Sequence, residues 1–145
     1  MKILLDTNIV LDLLMDRTPF ADAAAELFSK VEDGTIVGYL CGTTITTIYY
    51  LAAKEVGAPR AQAEIKKILS FFEVAPVNRH VLESALDSGF NDFEDAVIHE
   101  AACHVGAETI VTRNKKDFIT SRIPVYSSEE MVSLLVTIRS NFGHL

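Results

Sequence analysis

The sequence lacks the features that mark membrane proteins and zinc proteins. No apolar run approaches the roughly 20 residues that a transmembrane helix needs, and Met1-Lys2 leads into a short apolar segment without the n-region and cleavage site of a signal peptide. The two cysteines, Cys41 and Cys103, stand alone, without the CxxC or Cys/His spacing of a zinc site. We therefore expect a cytoplasmic protein, without contact to a membrane, whose cysteines are small buried residues.

Basic residues are also scarce. The chain has 13 Lys and Arg against 20 Asp and Glu, which gives a formal net charge of −7. At first sight this balance argues against a polyanionic partner, because Lys and Arg supply much of the affinity for nucleic acid. Local distribution matters more than the sum, since a cluster of acids that binds divalent cations loses negative charge at that point.

Neither a repeat nor a linker interrupts the 145 residues, of which 49% are hydrophobic. This length and composition predict one globular domain over residues 1–145. Short β-branched segments alternate with longer segments of helical periodicity; the predicted strands are 3–5, 35–40, 72–75, 108–112 and 123–126. The alternation predicts an α/β fold with three layers, α/β/α, in which helices cover both faces of a central, mostly parallel sheet of about five strands.

A carboxylate follows the first predicted strand. The apolar run stops at Asp6 and a helical pattern that includes Ile9 and Val10 begins at once, so Asp6 should lie at the carboxyl end of a buried strand. Open α/β sheets bind their ligands at this edge. An Asp in this position is, by itself, as often the N-cap of the following helix as a metal ligand.

Two later polar groups should reach the same edge. Asp92 and Asp95 stand three residues apart at the start of a predicted helix, and Asn114 and Asp117 follow the next-to-last predicted strand. Taken alone, Asp92 and Asp95 resemble a capping box. Four carboxylates brought together would repel one another and be driven toward protonation unless a cation lies among them.

The chemistry of such a cluster favours a hard cation. Oxygen ligands without cysteine indicate Mg²⁺ or Mn²⁺. The expected metal ligands share a carboxylate and the same sheet edge: Asp6, Asp92, Asp95 and Asp117. One ion would activate a water, and a second would stabilise the leaving oxygen of a phosphodiester displacement. Arg113, Lys115 and Lys116 beside the last acid would contact a nucleic-acid backbone, although a solvated loop explains any one of them.

Three segments, taken in order, carry a resemblance to a known family. They are Asp6-Thr7-Asn8 after an apolar strand, Asp92-Phe93-Glu94-Asp95-Ala96 at the start of an alanine-rich helix, and Ile110-Val111-Thr112-Arg113-Asn114-Lys115-Lys116-Asp117-Phe118. Together they resemble the PIN-domain family, whose best-known members are the VapC-type toxins of bacterial toxin-antitoxin pairs. Each motif alone is weakly specific, but three in this order within one domain of this size are fairly specific.

The resemblance implies a Mg²⁺- or Mn²⁺-dependent endoribonuclease, often a homodimer, that is inhibited by a cognate antitoxin protein. By position, Asp6 and Asp95 would be the principal metal ligands. Asp117 matches the last acidic position of the family, and Thr112 and Asn114 match polar residues that orient it. These five residues are the ones that the resemblance assigns to catalysis.

One position departs from the family pattern. The family usually has a Glu in the helix after the second strand, and the matching residue here is Thr47. A Thr hydroxyl can accept a hydrogen bond from a metal-bound water but does not replace a charged ligand. Cation affinity should therefore be lower, and either Asp12 or Asp92 compensates or turnover is weak.

Two other functions stay open. With Thr47 in place of Glu, the domain would bind RNA or a partner protein without cutting RNA. An Asp-dependent phosphoryl-transfer domain ranks lower. A haloacid-dehalogenase-like phosphatase needs Asp-x-Asp after the first strand, where Asn8 holds the second position, and a receiver domain needs an Asp after a central strand, which neither 40–42 nor 75–77 supplies.

Overall fold

A five-stranded sheet forms the centre of the structure, a computed structural model that describes the backbone of residues 1–142 and the side chains of residues 1–139. In chain order the strands are β1 (Lys2–Leu5), β2 (Val37–Cys41), β3 (Glu73–Ala75), β4 (Thr109–Val111) and β5 (Val125–Tyr126). They lie in the order β3-β2-β1-β4-β5, and every neighbouring pair is parallel. The predicted sheet is confirmed, and it is parallel throughout. The last three residues of the domain predicted at 1–145 lie outside the described part.

Seven α-helices connect and cover these strands within residues 1–142. They are α1 (Thr7–Leu14), α2 (Ala21–Glu32), α3 (Gly42–Val56), α4 (Ala58–Leu69), α5 (Arg79–Leu86), α6 (Phe93–His104) and α7 (Ser128–Phe142). A short 3-10 helix, Lys115–Phe118, lies between β4 and β5. None of the helices in this part of the chain is long and apolar enough to cross a membrane.

The buried residues of β1 divide between two cores. Ile3 and Leu5 belong to the core that also contains residues of α1, α2, α3, α4 and α7, whereas Leu4 belongs to the core built with α5 and α6. Successive side chains of a strand point to opposite faces of a sheet, so this division places helices on both faces. The predicted three-layer α/β/α architecture is therefore confirmed.

Strand β2 begins later than the sequence predicts. The prediction placed its start at residue 35, but the strand begins at Val37. Thr35 lies instead in a turn, where its backbone N–H donates to Asp33 Oδ1 at 2.9 Å and its hydroxyl donates to the same oxygen. An Asp side chain can bind the backbone two residues further on and so close a turn, which here delays the start of the strand.

The topology opens a crevice at the carboxyl end of the central strand. The chain leaves β1 to build β2 and β3 on one side, and β4 and β5 lie on the other side. Ligand sites of open α/β sheets lie outside the strand ends where the strand order reverses in this way. Asp6, directly after β1, extends the ladder between β1 and β4, since its N–H donates to Val111 O at 2.9 Å.

Candidate functional site

Asp6 is a buried carboxylate with a partner on each oxygen. Oδ1 accepts the N–H of Thr7 at 2.8 Å, and Oδ2 accepts the hydroxyl of Thr112 at 2.7 Å. The first contact makes Asp6 the N-cap of α1, as one interpretation of the sequence expected. Since each carboxylate oxygen has two lone pairs, these bonds leave acceptor capacity that faces the crevice.

Thr112, which the resemblance placed near Asp117, contacts the cluster through Asp6. Its hydroxyl binds Asp6 and also accepts the backbone N–H of Asn114 at 3.1 Å. The hydroxyl of Thr112 therefore orients Asp6 directly. Asn114 does contact Asp117, but through the backbone, because the N–H of Asp117 donates to Asn114 O at 2.9 Å within the 3-10 turn.

The start of α6 carries two acids in a cap. Asp92 is the N-cap, and its Oδ1 accepts the N–H of Asp95 at 2.9 Å. Asp92 thus caps the helix as the sequence suggested, which is one half of a capping box. The cap does not use the carboxylate of Asp95, which is half-buried and stays available to a ligand.

Negative charges from three parts of the chain converge on Asp95. Burial, followed by the charges of four other carboxylates, raises the pKa of Asp95 to about 7. In order of decreasing effect, these carboxylates are those of Asp6, Asp92, Asp117 and Glu94. Three of the acids predicted as metal ligands, Asp6, Asp92 and Asp117, are therefore close enough to act on the fourth, Asp95.

The same convergence acts on Asp6. Burial raises the pKa of Asp6 above its usual value, the hydrogen bonds from Thr112 and Thr7 oppose that rise, and the charges of Glu94 and Asp117 add to it. Glu94 is a member of the cluster that the sequence analysis missed. Its signal was present, because three acids among the four residues at the start of one helix cannot all point away from the crevice.

The donor set of this cluster fits a hard divalent cation. Its ligands are all carboxylate oxygens, the type that Mg²⁺ and Mn²⁺ prefer, and a cation would relieve their mutual repulsion. Within the described residues, however, the three ligand atoms that lie within 4.8 Å of one another belong to His99, Glu100 and Cys103. The acidic cluster is more open than this. Such spacing suits Mg²⁺, which keeps several waters and takes only one or two carboxylates directly.

The His99, Glu100 and Cys103 group is already engaged by Arg122. Glu100 accepts two hydrogen bonds from the Arg122 guanidinium, at 3.0 and 2.8 Å. His99 Nε2 accepts the backbone N–H of Arg122 at 3.0 Å. Because an arginine occupies the carboxylate and a backbone donor occupies the imidazole, this group holds the segment after the 3-10 turn against α6 and offers little to a metal.

The three cations predicted to bind substrate differ in their surroundings. The Arg113 Nε lies 3.0 Å from the buried Asp12 Oδ2, and the Lys115 Nζ lies 2.7 Å from Glu130 Oε1. Lys116 instead lines a cleft of about 310 Å³ together with Asp92 and Asp117.

Asp12, one of the two residues considered in place of the missing glutamate, lies beside two basic side chains. Its carboxylate is paired with Arg113 and lies 3.8 Å from Arg17 NH1. Asp92, the other residue considered for that role, does act on Asp95.

Known proteins share this sequence pattern and this fold. The sequence model of the PIN domain matches residues 2–116, which is more than half of the chain. The chain belongs to the PIN-domain family. This PIN domain is 25% identical over 134 residues to Ribonuclease VapC1 of Aquifex aeolicus (strain VF5), which covers 89% of this chain and 92% of that protein.

Solved structures agree with the family assignment. A toxin-antitoxin complex from Klebsiella pneumoniae matches with a TM-score of 0.66 and 25% identity, over 87% of this chain and 97% of the matched chain. VapBC-1 from nontypeable Haemophilus influenzae matches with a TM-score of 0.70 and 18% identity, over 89% of this chain and 99% of the matched chain. The latter likeness shows the fold alone.

Thr47, where the family pattern implies Glu, lies in α3 of this PIN domain and is partly exposed. Helix α3 is fixed to the start of α1 one turn earlier, since the hydroxyls of Thr44 and Thr7 are 2.8 Å apart. Thr7 directly follows Asp6. Position 47 therefore belongs to a helix that is fixed beside the carboxylate cluster, and a longer side chain there would extend from that helix.

The raised pKa of Asp95 predicts how the stability of the metal-free PIN domain depends on pH. The folded-state value of about 7 lies above the usual value of about 3.9 in an unfolded chain, so between these values the folded protein holds a proton that the unfolded chain releases. This contribution to stability is complete below about pH 4 and is lost as the pH rises through about 7. At pH 8 the free energy of unfolding of Asp95→Asn should exceed that of the wild type by about 1 kcal/mol, after allowance for solvent screening.

Urea unfolding in EDTA at pH 5 and pH 8 measures this difference. Asp87→Asn, which removes an exposed carboxylate after α5, is the matched control and should keep the pH dependence of the wild type. If Asp95→Asn and the wild type lose the same stability between the two pH values, the carboxylates do not interact as described.

Proposed function

We propose that this PIN domain is a Mg²⁺- or Mn²⁺-dependent endoribonuclease. The observation that carries the proposal is the convergence of carboxylates on Asp95, which makes its ionised form unfavourable until positive charge arrives. The cation ligands we propose are the four acids at the strand ends: Asp6, Asp92, Asp95 and Asp117. The 25% identity to a protein named Ribonuclease VapC1 supports the same activity.

The residues of the chain would have different roles at this site. A bound divalent cation supplies the charge that lowers the pKa of an attacking water and offsets negative charge on the phosphodiester. Asp6 is the rigid ligand, because Thr7 and Thr112 fix both of its oxygens. Asp95 would release its proton when the cation binds, which couples cation affinity to pH.

The basic residues near the site would hold the RNA strand. Lys116 shares the cleft with Asp92 and Asp117 and would contact a phosphate there. Lys115 is paired with Glu130 on the surface, where both side chains are about half exposed. Such exposed pairs contribute little stability, so Lys115 can exchange its partner for a phosphate.

Cleavage of labelled RNA in the presence of Mn²⁺ tests this proposal. Asp6→Asn should lower the rate more than about 100-fold, since even outer-shell substitutions at metal sites reduce activity 10- to 100-fold. EDTA should abolish cleavage by the wild type, and Asp87→Asn should cleave like the wild type. Equal cleavage by the wild type and Asp6→Asn would mean a contaminating nuclease and would remove the proposal.

Thr47 favours a second candidate function, in which the domain binds RNA or protein with weak or no cleavage. A direct test is to restore the acid. Thr47→Glu should lower the Mn²⁺ concentration for half-maximal cleavage about tenfold, because the charge of the ligand set tunes cation affinity. Thr46→Glu adds the same charge at an exposed neighbouring position of α3 and should change little. An equal effect of both substitutions would show that only overall charge matters.

We also propose that the protein forms a homodimer and is bound by a cognate antitoxin. The matched structures from Klebsiella pneumoniae and Haemophilus influenzae are a toxin-antitoxin complex and a VapBC structure, which supports such a partner. Light scattering after size-exclusion chromatography should give twice the chain mass. A small protein encoded directly upstream should copurify with this chain and suppress RNA cleavage. A monomer that cleaves RNA equally with and without that protein would contradict both expectations.

A further inference from the structure

Buried polar atoms without partners are concentrated beside the end of β4. Among the described side chains, five buried nitrogen or oxygen atoms have no hydrogen-bond partner, and four of these belong to Asp12, Arg113 and Ser128. Asp12 has no exposed surface, and Ser128 is 8% exposed. Since buried polar atoms nearly always have a partner, their concentration at one place indicates a site for a polar ligand.

The residues that carry these atoms line one cavity. Asp12, Arg113 and Ser128 enclose a volume of about 220 Å³ together with Phe20 and Asn114, among others. The Arg113 Nε and Asp12 Oδ2 are 3.0 Å apart, a charge contact without the alignment of a hydrogen bond. The Cζ of Arg113 lies 4.2 Å from the centre of the Phe20 ring. The cavity thus combines flat groups with donors and acceptors that have no aligned hydrogen bond.

The cavity adjoins the carboxylate cluster through consecutive residues. The hydroxyl of Thr112 binds Asp6, whereas the side chain of the next residue, Arg113, contacts Asp12. Asn114 belongs to both regions, because its N–H donates to Thr112 and its side chain lines the cavity. An RNA strand held at the cluster would place a neighbouring nucleotide beside the cavity.

The charges around the cavity favour a neutral ring over a phosphate. Two carboxylates, those of Asp12 and Glu129, line it together with the one guanidinium of Arg113. Arg17, 3.8 Å from Asp12, only balances this charge. Carboxylates accept hydrogen bonds and donate none, so they call for N–H groups on the ligand. Bases of single-stranded RNA offer such groups and stack on aromatic rings and guanidinium planes.

We propose that this cavity binds a nucleobase with an exocyclic amino group, in the nucleotide next to the cleaved phosphodiester; the proposal rests on the ribonuclease function proposed above. Asp12 accepts a hydrogen bond from the amino group, and the Arg113 Nε–H donates to a ring nitrogen or carbonyl oxygen. The hydroxyl of Ser128 contacts the remaining polar edge. Adenine, cytosine and guanine meet this requirement, whereas uracil has no amino group.

Titration of mononucleotides into the full chain in EDTA, followed by ligand-observed NMR, tests the proposal without any cleavage. The probes are CMP against UMP and both AMP and GMP against IMP, because each pair compares a base with its counterpart that lacks the amino group. At least one amino-bearing nucleotide should bind about tenfold tighter than its counterpart, the size of one good base contact. Dissociation constants that agree within about twofold in all three pairs would overturn the proposal and would mean that the cavity does not recognise an amino group.

Two substitutions assign the binding to this cavity. Ser128→Ala should lower the affinity for the nucleotide that binds more tightly about fivefold, because it removes one hydrogen bond. Ser133→Ala, at an exposed position of the same helix, is the matched control and should bind like the wild type. If both variants bind like the wild type, the nucleotide lies elsewhere and the proposal fails.

Asp12→Asn tests the recognition itself. An amide offers N–H groups where the carboxylate only accepts hydrogen bonds. The ratio of the two dissociation constants, which measures the preference for the amino-bearing base, should therefore approach one or reverse. This preference is a ratio of two dissociation constants measured on one sample, so it does not depend on the folded fraction. A purely structural role of Asp12 would weaken both nucleotides alike and would contradict the assignment.

Failure of this proposal can be told apart from failure of the nuclease proposal. RNA cleavage without discrimination among nucleotides would overturn the base site alone. Discrimination without RNA cleavage would overturn the nuclease function and the position assigned to the base beside a cleaved bond, while supporting a base-binding cavity.

Discussion

The hydrogen bond from the Thr112 hydroxyl to Asp6 is the interaction on which the site depends. Burial removes most of the water that would stabilise the charge of Asp6, so fixed donors must replace it. This bond also ties the end of β4 to the end of β1, the two strands that border the crevice. Other acids then approach a carboxylate that cannot move away, and their repulsion appears in the raised pKa of Asp95.

Much of the fold was predictable because buried strands of a parallel sheet have a clear sequence pattern. The meeting of the acids was predictable too, since parallel strands share one carboxyl edge. The partner of each acid was not, because it depends on register. Leu5 pairs with Val111 in the ladder, so Asp6 and Thr112 come next to each other, and no sequence pattern reveals that offset. The pairing of Asp12 with Arg113 had a signal that was missed: an acid within the apolar helix α1 requires a buried partner.

The charge count of the sequence does not show how little of the positive charge in this region is free of a carboxylate partner. Three basic side chains in this part of the structure already form an ion pair with a carboxylate: Arg113 with Asp12, Lys115 with Glu130, and Arg122 with Glu100. These pairs differ in strength. The pair with Glu130 is solvated and exchangeable, whereas Asp12 and Glu100 are buried and would be costly to leave without a partner. The divalent cation proposed above would add positive charge that these pairs do not supply at the crevice.

Two neighbouring residues at the end of β4 contact different carboxylates, with the Thr112 hydroxyl on Asp6 and the Arg113 guanidinium on Asp12. Side chains along extended backbone alternate, so a shift by one residue reverses the direction of every one that follows. A deletion or insertion of a single codon within Thr109–Val111 would thus reverse the directions of the hydroxyl and the guanidinium. The contacts to Asp6 and to Asp12 would be lost together. Natural variants of this segment should differ by replacement of side chains at constant spacing, and length variation should be confined to the turns on either side.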